Sequence, residues 1–157
     1  MTNIGARVAV LSLITGLAVL TIAQAQEKKL KREELPPAVE KTVAEQSQGG
    51  TIKGFSTEVE KGKTLYELEL TVNGHGKDIS MDKDGKIVEV EEEVAMDSLP
   101  PEVKAGLRRT AGGGTISKVE SLTKGGKLVA YEAGVKNGLK HFEVQVGPNG
   151  NKLAHEE

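Results

Sequence analysis

The chain has 157 residues, 37% of them hydrophobic and 28% charged, with a formal net charge of −2 and no cysteine. Disulfides and thiol chemistry are excluded, so stability must come from packing. Two Phe, two Tyr and no Trp leave an aliphatic core, and without a basic stripe interleaved with aromatics nucleic-acid binding is not expected.

Residues 1–25 read as an export signal. Arg7 precedes an apolar stretch from Val8 to Ile22, and Ala23-Gln24-Ala25 has the A-x-A form that predicts cleavage after Ala25. The apolar stretch, about 15 residues, falls short of the roughly 20 that span a bilayer. No stable membrane anchor is expected after signal removal, and the location is periplasmic or secreted. Residues 26–34, Q-E-K-K-L-K-R-E-E, alternate in sign without hydrophobic periodicity and read as a solvated leader.

From Leu35 the chain repeats itself. Leu35-Pro36-Pro37 through Gly49-Gly50-Thr51-Ile52 returns 64 positions later as Leu99-Pro100-Pro101 through Gly113-Gly114-Thr115-Ile116, with eight of eighteen positions identical. A fixed period of this length marks a duplicated structural unit, here residues 35–98 and 99–157. In each unit the prolines open a helix, where a missing N–H has no intrahelical partner. Val39 and Val43, and then Leu99, Val103, Leu107 and Ala111, give the apolar stripe. Glycines stop both helices.

Strands follow. Phe55, Thr57 and Val59 point inward in the first. Tyr66, Leu68, Leu70 and Val72 alternate with Glu67, Glu69 and Thr71 in the second, the period of a strand with one buried face. Ile79 and Met81, then Val88 and Val90, complete four strands. The second unit repeats the plan with Val129, Tyr131, Ala133 and Val135, then Phe142, Val144 and Val146, then Leu153. Lys61-Gly62, Asn73-Gly74, Gly125-Gly126 and Asn137-Gly138 supply the turns, Asn-Gly with the two positive-φ residues of a type I′ hairpin. The expected fold is α+β: two tandem repeats, each a short helix packed on a four-stranded antiparallel sheet.

The helix covers one side of each sheet and leaves the other to water. That open side carries Glu67, Glu69, Asp78, Ser80, Glu89 and Glu91 in the first unit, and Glu132, Lys136, His141, Glu143, Gln145 and Lys152 in the second. Residues 35–98 hold 14 acidic and 7 basic side chains, whereas 99–157 hold 6 and 9. The two halves differ in sign, so an acidic sheet face is the expected partner-binding surface, centred on Glu67, Glu69, Asp78, Glu89, Glu91, Glu132, His141, Glu143 and Gln145. Self-association of oppositely charged halves, with Lys104, Arg108 and Arg109 as the basic group, is an alternative.

Sites for chemistry are not evident. Ser80 to Glu91 approaches a calcium loop, with Asp82, Asp84, Gly85 and Glu91 at fitting positions, but it begins with Ser and is flanked by strands, so Asp and Gly serve a hairpin turn. The three histidines lack zinc spacing. Neither a nucleophile elbow nor a phosphate-cradling loop is present, and no apolar wall surrounds the carboxylates to shift their protonation. The chain is expected not to be an enzyme and to need no cofactor or metal, with weak divalent-cation binding by the acidic strands as another alternative.

The L-P-P helix opening, the G-G-T-I strand entry, Tyr66-Glu67-Leu68-Glu69-Leu70, and the Asp82-x-Asp84-Gly85-Lys86 hairpin with its acidic strand, echoed by Tyr131-Glu132 and Gly150, carry a family likeness. The chain resembles the PepSY-like domains, in particular the group similar to β-lactamase-inhibitor proteins. That resemblance implies an exported, non-enzymatic protein with tandem helix-plus-sheet units joined into one sheet. PepSY domains in peptidase propeptides restrain the peptidase, so the implied partner is an exported protein such as a hydrolase.

Overall fold

The computed structural model describes residues 27–157; the export signal and the cleavage site after Ala25 lie outside the described residues. Eight antiparallel strands form one sheet in chain order: β1 (Lys28–Leu30), β2 (Gly50–Glu60), β3 (Lys63–Val72), β4 (His75–Met81), β5 (Ile87–Glu93), β6 (Thr115–Lys124), β7 (Lys127–Asn137) and β8 (Lys140–Val146). Two helices, α1 (Pro37–Gln46) and α2 (Pro101–Thr110), link β1 to β2 and β5 to β6. The α+β class holds, and the sheet is continuous through the pairing of β5 with β6.

Both helices start where the prolines place them, with Pro36 and Pro100 as N-caps. Helices of ten residues are too short to persist in water alone, so each lies on the sheet. Val39 and Val43 of α1 pack on Phe55, Leu68, Leu70, Ile79 and Met81. Leu99 and the α2 residues Val103 and Leu107, with Ala111, pack on Val119, Ala133, Val135, Val144 and Val146. Directly opposed residues of neighbouring strands share a face. The line Leu68, Ile79, Val90, Thr123 therefore carries the helix-covered face across the sheet, and both helices sit on it.

Several expectations need correction. The leader is not wholly solvated, because Lys28–Leu30 add β1 to the edge of β2. Four strands follow α1 but only three follow α2; the fourth, expected around Leu153, is reduced to one bridge between Val146 and Lys152. That bridge sets Lys152 on the helix side with Val146, away from the open face. Val59, expected to point inward, is 57% exposed. A bulge opposite Met81 turns Val88 out of the helix-side core, where Ile87 and Val90 pack instead.

The last hairpin is displaced by one residue. Asn73 and Gly74 take the two positive φ angles expected, +52° and +86°. In the second hairpin Asn137 ends β7, paired with Lys140, and the loop is Gly138-Leu139 with only Gly138 positive, the type II′ pattern. The cause lies upstream: an irregularity where Leu122 pairs with Ala130 and Thr123 with Leu128 absorbs an extra residue at Val129. Repeat spacing is 64 before this bulge and 65 after it.

Candidate functional site

The face opposite the helices is built by the other parity of every strand. Cross-strand pairs run Ser56–Glu67–Ser80–Glu89–Lys124 on one line and Glu69–Asp78–Glu91–Leu122–Ala130 on the next. Glu120–Glu132–Gln145 continue it toward β8, followed by Gly134–Glu143 and Lys136–His141. All nine residues expected to form the partner face therefore lie on one face. Their environments divide: Glu67, Glu69, Asp78, Glu89, Glu91, Glu132 and Gln145 are partly buried, whereas His141 and Glu143 are exposed.

This face is not the uniformly wet surface expected. Leu65, Leu122 and Ala130 are buried on it, and Ser56 is fully buried, so carboxylates stand among apolar and aliphatic neighbours. Burial is the leading cause that pushes Glu91 from its ordinary 4.5 to about 8, with Glu132, Glu120, Glu89 and Asp78 adding repulsion. Burial likewise pushes Asp78 from 3.8 to about 6; Glu67 adds to this and Lys118 opposes it. Glu58, Glu67 and Glu132 are raised too, burial first in each case. The expectation that nothing surrounds the carboxylates to shift their protonation is overturned.

Local hydrogen bonds restrain part of this charge. Ser56 Oγ donates to Glu67 Oε2 at 2.7 Å, and Gln145 Nε2 donates to Glu132 Oε2 at 2.7 Å; both bonds favour the ionised form. Lys124 Nζ lies 2.9 Å from Glu89 Oε2 across the β5–β6 seam. Glu120 Oε1 is buried, and its charge is met by Lys118 Nζ at 2.6 Å. Burial pulls the Lys118 ammonium down, but the carboxylates of Glu120, Asp78 and Glu93 outweigh it.

The seam gathers these groups. A depression of about 170 Å³ is lined by Glu58, Glu67, Asp78, Ser80, Glu89 and Glu91. Beside it, Asp78, Glu91 and Glu120 each place a carboxylate oxygen within 4.8 Å of the others. Sequence reasoning missed Ser56, Glu58, Lys118, Glu120 and Lys124. The β2 parity that pointed Phe55 inward already placed Ser56 and Glu58 outward; bulges beyond Ile116 and Leu122 hid the same signal in β6.

Other candidates are occupied by the fold. Asp82 Oδ1 accepts from the backbone N–H groups of Asp84 and Lys86 at 3.0 and 3.1 Å, holding the hairpin before β5. Lys104 Nζ donates to the Asp97 carbonyl and Arg109 to the Gly150 carbonyl. The helix that carries them lies on the opposite face from the carboxylates. Among the described residues, no helix is long and apolar enough to cross a membrane.

Fold and face together define a class: an antiparallel sheet covered by helices on one side and open, with carboxylates, on the other. Solved structures share this fold. A protein from Bacteroides eggerthii, provisionally assigned to the periplasm, matches at a TM-score of 0.62 and 15% identity over 76% of this chain and 86% of that one. A DUF2874 family protein from Bacteroides ovatus matches at 0.58 and 17% over 76% and 84%. A BLIP-like protein from Bacteroides fragilis matches at 0.55 and 20% over 76% and 83%. At these identities the likeness is one of fold, and the fold is BLIP-like. No family model and no curated protein matches the chain.

Proposed function

We propose that this chain is an exported, non-enzymatic binding module that holds a partner protein on its open sheet face. One observation carries the reading: among the described residues neither helix nor strand covers the face, yet it keeps at least five carboxyl groups, those of Glu58, Glu67, Asp78, Glu91 and Glu132, where burial and mutual repulsion disfavour their charge. Lysines and arginines of a partner would relieve that repulsion, so the partner surface is basic. The export signal and the provisional periplasmic assignment of a structural neighbour support an envelope or secreted location. The PepSY-like resemblance supports two tandem units, residues 35–98 and 99–157, and an exported hydrolase as the partner whose activity is restrained. The pairs Lys28–Thr57 and Glu92–Ser121, 64 residues apart, support the duplication.

Cross-linking of the purified chain to envelope and secreted proteins, in parallel with a Glu67→Lys, Glu132→Lys variant, tests this. A partner captured by the native protein and lost in the variant is the expected result. Absence of a partner, or equal capture by the variant, overturns it. Divalent-cation binding is a second reading, favoured by the approach of Asp78, Glu91 and Glu120. Calorimetric titration with calcium expects saturable heat, abolished in Asp78→Asn, and affinity weaker than about 1 mM rejects it.

A further inference from the structure

The two edges of the sheet are built differently. At one edge β1 is three residues long with Lys28 and Lys29 exposed, and β2 behind it carries a bulge between Ile52 and Gly54. Short length, lysines and bulges are the devices that keep an edge strand from pairing with another chain. At the other edge β8 runs seven residues without a bulge. Its tail folds back at Gly147, whose N–H donates to the Asn151 carbonyl at 2.8 Å, so that Lys152 bridges Val146 and the Glu157 N–H donates to Gln145 Oε1 at 2.9 Å. The tail covers the end of the edge, and among the described residues no further strand lies beside Lys140–Val144. Two large apolar side chains stand exposed here, Leu139 fully and Phe142 at 41%.

We propose that β8 is the self-association edge of this protein, pairing antiparallel with β8 of a second copy about a two-fold axis at Phe142. The two-residue loop makes Asn137 and Lys140 a hydrogen-bonded pair, and alternation along the ladder then turns the backbone groups of His141, Glu143 and Gln145 away from β7. Only registers that oppose outward with outward residues can form. Centring on Glu143 sets two like carboxylates opposite each other, which is unfavourable. Centring on His141 shortens the ladder and spends Leu139 against Glu143. Centring on Phe142 sets His141 of each copy opposite Glu143 of the other, stacks the two exposed phenyl rings side by side, and stops short of Gln145, where each copy's own tail lies. Charge complementarity and apolar burial thus select one occupant and one register.

The product is a closed dimer, because the same edge serves both copies. Its sixteen strands form one sheet with four helices on one face, and the two carboxylate faces become continuous. Nothing in this inference depends on what the carboxylate face binds.

Sedimentation velocity of the purified chain from micromolar to about 1 mM tests it. A concentration-dependent dimer is expected. Glu143→Lys and Phe142→Asp should each weaken it about tenfold or more, and the double variant His141→Glu, Glu143→Lys should restore it by exchanging the two charges. These positions are exposed, and circular dichroism checks that each variant keeps its strands. A monomer throughout, or a dimer indifferent to Glu143→Lys and Phe142→Asp, overturns the proposal. A dimer lost in the single charge variant and not restored in the double overturns the register.

Discussion

The halves of the sheet place different side chains on equivalent backbone positions. In the first half Ser56 stands opposite Glu67 and neutralises its hydrogen-bonding need; in the second, Glu120 occupies the place of Ser56 opposite Glu132. The added charge is met by Lys118, which stands where the first half has Gly54, while Gly134 stands where the first half has Glu69. Side chains are thus exchanged across this ladder with the backbone pairing retained, and these three positions supply only a small part of the change of net charge between halves. Backbone pairing responds to turns and bulges, and the open face is free to vary.

The largest expected effect breaks the comparison at the helix. In the first half Thr42 Oγ1 donates to the Gly85 carbonyl at 2.7 Å. In the second, Gly106 takes the place of Thr42, and the Gly150 carbonyl lies where a Cβ would be. The same helix-to-hairpin contact is made once by a hydroxyl and once by direct backbone approach. Gly106→Ala should therefore destabilise by about 2–4 kcal/mol, as overpacking against backbone does. Thr42→Ala should lose only about 1 kcal/mol. Urea denaturation of the two variants measures the difference, and equal losses would show that the Gly150 hairpin yields to the added methyl group.

The carboxylate face gives the next largest effect, through pH. Glu91 and Asp78 have folded-state values above their unfolded ones, so the native state binds more protons between the two values and stability falls as pH rises through that window. The window runs from about 4 to 6 for Asp78 and from about 4.5 to 8 for Glu91. Stability should be greater at pH 5 than at pH 8. Glu91→Gln should flatten the slope and stabilise at pH 8 by about 1–2 kcal/mol, a figure reduced for solvent screening of a group about a third exposed. Melting temperatures at the two pH values decide this, and an unchanged slope in the variant removes Glu91 as its source.

Element identity was largely legible because proline, glycine and period-2 alternation act locally. Pro36 and Pro100 fix helix starts, and Leu68 and Leu70 are buried where alternation places them. Three features were not legible. The leader strand β1 exists because β2 offers it an edge, and Lys28-Lys29 has no strand propensity that would announce it. The bulge at Val129 shifts everything after it by one residue, which no alternation count within a single strand reveals. The protonation of Glu91 depends on Leu122 and Glu132 from other strands, so its sequence neighbours suggested a wet strand end.

A smaller effect is expected at Ser56, fully buried beside Glu67. Ser56→Ala removes the donor that favours the ionised Glu67, so stability should fall by about 1 kcal/mol near neutral pH. The same change should raise the protonation midpoint of Glu67 further. Carbon-detected NMR titration of that carboxyl reads the direction, and a midpoint that does not move would mean water replaces the hydroxyl.

The smallest expected effect concerns how each helix is tied to the turn before it. Arg32 donates through Nη2 and Nε to the Glu40 carboxylate, at 2.7 to 3.1 Å, binding the turn Arg32–Glu34 to α1. In the second half Met96 and Lys104 stand at these positions, and Lys104 reaches the Asp97 carbonyl at 2.8 Å instead. Both ties are solvent-exposed, and exposed ion pairs add little to stability. Arg32→Met, which copies the second half into the first, should therefore lower the melting temperature only slightly at low salt. That difference should disappear near 1 M salt, where screening extends over only about 3 Å. A larger loss that persists in salt would show that the guanidinium stem packs on α1, making this tie one of shape where the opposite half relies on a single backbone hydrogen bond.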